Sequence, residues 1–164
     1  MFARGEIATA LEICEHLADS AKDDVNARQF HAEVLLAAGR LPEAIGELDR
    51  CLAQDANRID AILLRAATRH ALGQVDSALV DYRRVIALQP GNADAHHNAG
   101  RLLARKGEFE AALASFDAAI AARPDYPDAI NHRGMVLKQL GGQEEALEAF
   151  KLAISLQPAH LGAL

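Results

Sequence analysis

Apolar, small and turn-forming positions return along the 164-residue chain at a step of 34. Gly39, Gly73, Gly107 and Gly141 form one column, and Ala44, Ala78, Ala112 and Ala146 a second. Leu48, Tyr82, Phe116 and Phe150 form a third, Cys51, Val85, Ala119 and Ala153 a fourth, and Ala56, Pro90, Pro124 and Pro158 a fifth. Each step therefore predicts two helices broken by its glycine, which can take the left-handed conformation that closes a helix. Gly39 stands before Arg40-Leu41-Pro42, and Pro42 is pre-set for the first turn of the following helix. Pro90-Gly91-Asn92, Pro124-Asp125 and Pro158 end the second helix of each step, because proline cannot extend it. Asn92 or Asp125 can then cap the next helix. The alanine column lets two helices approach closely, and the Leu/Tyr/Phe column fills the gap to the next pair.

A 34-residue helix-turn-helix unit carrying a small residue, then Ala-x3-Phe, then Pro at these offsets resembles the tetratricopeptide repeat family. The resemblance covers essentially the whole chain as a single domain. It gives full repeats at 25–58, 59–92, 93–126 and 127–160, a half repeat at 3–22 before them, and the start of a further helix at 160–164. It implies an all-α fold, a right-handed alpha-alpha superhelix (solenoid) of about 4.5 repeats. Gly100 and Gly134 take the family's glycine in the first helix, whereas Ala32 replaces that glycine and Ala56 the proline in the first repeat. Arg28, Ile62, His96 and Ile130 stand where the family has its early tryptophan.

Composition agrees with helices: alanine supplies 35 positions, tryptophan is absent, and the aromatics are five Phe and two Tyr. A net charge of −6 with no Lys/Arg run argues against a nucleic-acid surface, and base-stacking aromatics are lacking. Cys14 and Cys51 cannot make a disulfide framework, so a reducing, cytoplasmic setting is the expectation. No signal-like or membrane-spanning stretch is read, so no membrane partner is expected. Ala159-His160-Leu161-Gly162-Ala163-Leu164 has no charged residue to seal the stack. That raises the expectation of a segment of a longer protein or of end-to-end self-association.

The resemblance implies that positions 2, 5, 6, 9, 12 and 13 of each repeat face a concave groove that binds a protein or peptide partner. The first repeat then supplies Gln29, Phe30 and Glu33, and the second supplies Leu63, Leu64, Ala67 and His70, a largely apolar half. The third supplies His97, Asn98, Arg101 and Arg105, and the fourth Asn131, His132, Met135 and Lys138, a polar and basic half. Such a surface suits a peptide with hydrophobic anchors followed by acidic residues. Family members that clamp a carboxylate tail or hold a peptide with an asparagine ladder keep little here, since Asn98 alone matches. The blander reading is that Leu63 and Leu64 pack against neighbours and that the cations make surface pairs worth about 0 to 1 kcal/mol.

Candidate chemistry is thin. His96 and His97 are adjacent and so point about 100 degrees apart on a helix. At most His97 and His132 converge, short of a metal set. Cys14 and His16 are two residues apart on one helix, on different sides, which does not make a nucleophile and base. Arg65, Arg69 and Arg133 are placed to lay their stems inward and reach Asp81, Asp117 or Glu148. Phosphate loops and hydrolase motifs are missing. The expectation is a non-enzymatic adaptor or scaffold without cofactors. The alternative is the substrate-recruiting portion of a longer bacterial enzyme such as a glycosyltransferase or sulfotransferase, which similar repeats often precede.

Overall fold

The computed structural model describes residues 7–14 and 24–156. The expected half repeat at 3–22 is thus described only in part, and Pro158 and the helix start at 160–164 lie outside the described residues. Among the described residues every regular element is a helix. Residues 7–14 form α1. There follow α2 Val25–Ala37, α3 Leu41–Gln54, α4 Ile59–Ala71, α5 Val75–Leu88, α6 Ala93–Arg105, α7 Phe109–Ala122, α8 Pro127–Gln139 and α9 Gln143–Leu156. Each repeat contributes one pair. The fold is all-α, and no helix of the described residues is long and apolar enough to cross a membrane.

The chain divides into two compact units, Met1–Arg84 and Val85–Leu164, with the division inside α5. In the N-terminal unit α2 packs on α3, and α3 on α4. Ala44, Leu48, Cys51, Ala61 and Ile62 are wholly buried there. In the C-terminal unit α6 packs on α7 and α8 on α9, while α7 bridges the two hairpins by packing on α8. Leu102, Ala112, Phe116, Ala119 and Ala129 are wholly buried, and Ile130 sits on Ala149 and Ala153. A buried Leu or Phe of this kind contributes about 1.5 to 3 kcal/mol relative to exposure.

The repeating glycines do what their spacing predicts. Gly39, Gly73, Gly107 and Gly141 have φ of 76°, 74°, 79° and 88°, the left-handed region that side chains avoid. At Gly107, for instance, the amide donates to Ala104 O and the next amide, of Glu108, to Leu103 O, which closes α6 and turns the chain into α7. The four alanines of the second column are all buried, as close helix approach requires. Gly100 and Gly134 serve that approach too: a Cβ at Gly100 would lie 2.8 Å from the Phe116 ring, and one at Gly134 2.7 Å from that of Phe150.

Capping follows the expectation at one helix and departs from it at another. Asn92 caps α6, its Oδ1 accepting from Ala95 N at 2.9 Å. Asp125 does not cap α8, whose first turn begins at Pro127 and whose cap position is Tyr126, with no side-chain cap bond. Proline disfavours helical backbone in the residue before it. That fixes Tyr126 as the boundary residue, with Asp125 one position too early.

Candidate functional site

The first helices of the repeats carry the positions proposed from sequence, and in each unit the last residue of a repeat reaches back to two of them. In the N-terminal unit this residue is Arg58, which precedes α4. Its guanidinium donates to Asn26 Oδ1 at 2.7 Å and to the Gln29 side-chain oxygen on α2. Gln29 Nε2 in turn donates to Glu33 Oε1 at 3.0 Å. Gln29 and Glu33 are therefore joined into one polar row. Phe30, 46% exposed, stands clear of it. Leu63, Leu64 and His70 on α4 are half-buried and Ala67 is exposed, so the apolar half is partly drawn into packing.

In the C-terminal unit the corresponding residue is Tyr126, which precedes α8 and reaches back to the same two repeat positions on α6. Its hydroxyl lies 2.9 Å from Asp94 Oδ1 and 2.9 Å from His97 Nδ1. A carboxylate only accepts, so the Tyr126 O–H donates to Asp94 and its oxygen accepts from His97 Nδ1–H. The His97 Nε2 is left as an acceptor, 3.2 Å from His132 Nδ1, whose one hydrogen has Asp128 O as its nearer acceptor at 2.6 Å. Arg123 completes the group by forking onto Asp94 at 2.9 and 3.2 Å and lying 4.5 Å over the Tyr126 ring.

These partners set the titration of the cluster. Burial pushes His97 down to about 4, and the neighbouring His132 and Arg101 act in the same direction. Burial and the bond to Asp94 push Tyr126 up to about 12. The Arg123 hydrogen bond, helped by Tyr126, holds Asp94 below the usual carboxylate range. At neutral pH the group is one carboxylate paired with one guanidinium, plus a neutral phenol and imidazole.

His97 is 6% exposed and enclosed by Phe116, Tyr126 and His132, so it forms the wall of the site rather than its surface. The surface beside it consists of half-buried Asn98, Arg101 and His132 with exposed Arg105, Asn131, Met135 and Lys138. Arg101 donates to Asn98 Oδ1 at 3.4 Å. Among the described residues neither Arg101 nor Lys138 has a carboxylate partner. Arg65, Arg69 and Arg133 behave differently. Arg65 and Arg69 converge on buried Asp81, and Arg133 binds Asp117. No group of three His, Cys, Asp or Glu side chains forms a metal-ligand set among the described residues.

Sequence reasoning missed Arg58 and Tyr126 as members of the site. A signal was available: both are the last residue of a repeat, and both can bridge to polar residues at positions 2 and 5 of that repeat's first helix.

The comparisons with known proteins agree with this geometry. Family models described as Tetratricopeptide repeat match residues 63–127 and 97–160 in one case and 1–67 in another. No curated protein sequence matches the chain. Among solved structures, MamA is 20% identical, covering 96% of this chain and 92% of its own with a TM-score of 0.90. A MamA fragment from Desulfovibrio magneticus RS-1 is 21% identical over 95% of this chain and 88% of its own, with a TM-score of 0.87. YrrB, described as a TPR protein with an unusual peptide-binding site, is 24% identical over 96% of this chain and 81% of its own, with a TM-score of 0.82. With glycine-closed helix pairs in register along the described chain and family matches reaching from its first residue to 160, the chain belongs to the tetratricopeptide repeat family.

Proposed function

We propose that this protein is a non-enzymatic interaction module that holds an extended peptide segment of a partner protein, and that the polar face of α6 and α8 takes the acidic part of that segment. The observation that carries this reading is Arg101 with Lys138: two cations on that face without a carboxylate partner among the described residues, in a chain of net charge −6 where inward-lying Arg65, Arg69 and Arg133 are paired. The Arg101 guanidinium, beside Asn98, offers a carboxylate both charge and directed donors. In the N-terminal unit, exposed Phe30 with Leu63 and Leu64 offers apolar anchoring. Peptide recognition by YrrB, a protein of the same fold, supports the same class of function.

The test is selection from a random peptide library by the wild-type chain and by a variant with Arg101, Arg105 and Lys138 replaced by Glu. The wild type is expected to enrich peptides carrying acidic residues near apolar ones. The variant is expected to bind the selected peptides about tenfold or more weakly, a loss of roughly 1.4 kcal/mol or more, at a nearly unchanged melting temperature. Equal binding by both proteins would remove the acidic face from the reading.

A further inference from the structure

His97 is the one buried imidazole at the junction of α6, α7 and α8, and its bonds leave no room for a second ring proton. From its own helix it faces Asp94 and Arg101; from the turn before α8 it faces Tyr126, backed by Arg123; from α8 it faces His132 and Asp128. From α7 the Phe116 ring packs on it, 5.9 Å away between centroids. The donors and acceptors close on one another only with a neutral ring. Asp94 accepts from Tyr126 and Tyr126 from His97 Nδ1, while His97 Nε2 faces the His132 Nδ1–H, for which Asp128 O at 2.6 Å is the nearer acceptor. A proton on Nε2 would set two N–H groups against each other across 3.2 Å. His132 cannot yield by turning, because its Nδ1 is also bonded to Asp128 O and its ring is stacked on Phe116 at 5.7 Å.

We propose that His97 is a proton-sensitive latch holding the α8–α9 hairpin to α6–α7, and that mildly acidic solution favours the opened form because the freed ring takes up a second proton there. The inference goes beyond the peptide-binding reading and stands whether or not a peptide binds there. The sign follows from linkage. An imidazole freed by opening titrates near 6.5, whereas the latched one stays neutral until about pH 4. The opened form therefore binds more protons throughout that window, and its population rises about tenfold for each pH unit of acidification. Above pH 6.5 the latch is at full strength.

Amide hydrogen exchange on the full chain near pH 7 and pH 5, corrected for intrinsic exchange, tests this. Protection in α8 and α9 is expected to fall about tenfold or more beyond any change in α2 and α3. His97→Asn, which cannot titrate, is expected to abolish that excess. An equal loss in both units, or an excess that persists in the variant, would overturn the proposal. Should the variant fail to fold, ring-resonance titration of the wild type decides. A His97 ring still neutral near pH 5.5 supports the latch, and a midpoint at 6.5 or higher overturns it.

Discussion

At the scale of single residues, glycines of the same type have opposite meanings according to what surrounds them. Gly46 lies inside α3, and a Cβ built there meets nothing within 4 Å. Gly46→Ala should therefore stabilise the chain by about 0.4 to 1 kcal/mol, through helix propensity and a less flexible unfolded state. Gly134 faces the Phe150 ring, so Gly134→Val should destabilise by about 1 to 3 kcal/mol, as overpacking does. Urea denaturation of the two variants checks both signs. Tyr126 supplies a second case. Tyr126→Phe removes the acceptor of His97 Nδ1–H and the donor to Asp94, leaving a buried N–H without a partner. A loss of about 1 to 3 kcal/mol is expected. In acid, Asp94 and His97 act together: the depressed carboxylate loses its stabilisation as pH falls below its unfolded range, and neutral His97 loses its own from 6.5 down toward 4. Stability near pH 5 should thus be lower in the wild type than near pH 7, and the drop should be smaller in His97→Asn, as read by thermal melting at both pH values.

At the scale of helices, the N-terminal unit ties one hairpin with charge where the C-terminal unit uses packing. Asp81 on α5, buried, accepts from Arg65 Nε and a terminal nitrogen at 3.0 and 2.6 Å and from Arg69 at 2.8 Å, all on α4. Arg65 also reaches Asp49 on α3 at 2.6 Å, so a single guanidinium joins three helices. In the two later repeats the position of Asp81 is held by Ser115 and Ala149, and Ile130 packs on Ala149 instead. Arg133 keeps only the tie to Asp117, which corresponds to that of Arg65 to Asp49. Arg65→Met takes away two of the three hydrogen bonds to buried Asp81 and leaves it Arg69 alone, so it should destabilise by about 2 to 4 kcal/mol despite its similar volume. Replacing both Arg65 and Asp81 by apolar residues should recover part of that loss, because the buried carboxylate is then gone and Arg69 keeps Asp49 at 3.7 Å. Chemical denaturation of the single and double variants would show it, and a double variant weaker than Arg65→Met would count against this account of the Arg65–Asp81 tie.

At the scale of the molecule, the helical pairs, their turns and the family could be read from sequence because they depend on local rules that recur. Four glycines at one spacing each need a positive φ, and four alanines at another each need to vanish under a neighbour. The candidate site was less legible because it depends on side chains that break the repeat: Tyr126 and Arg58 share a column with Asn92, which caps a helix instead. Burial of His97 was also hidden, since its repeat position implies a groove residue and it is the rings of Phe116, Tyr126 and His132 that enclose it. A chain built from local modules makes a further quantitative expectation. Arg65 bonds to Asp49 and Asp81, whereas Gly134 faces Phe150, so the two sites share no partner. The losses in the Arg65→Met, Gly134→Val double variant should add to within about 0.5 kcal/mol. Arg65→Met and Asp49→Ala strike one bond, so their losses should fall short of the sum by about 0.5 kcal/mol or more. Denaturant unfolding of the two cycles would measure both. Strong coupling in the first would mean that energy is not stored module by module, whatever the periodicity of the sequence.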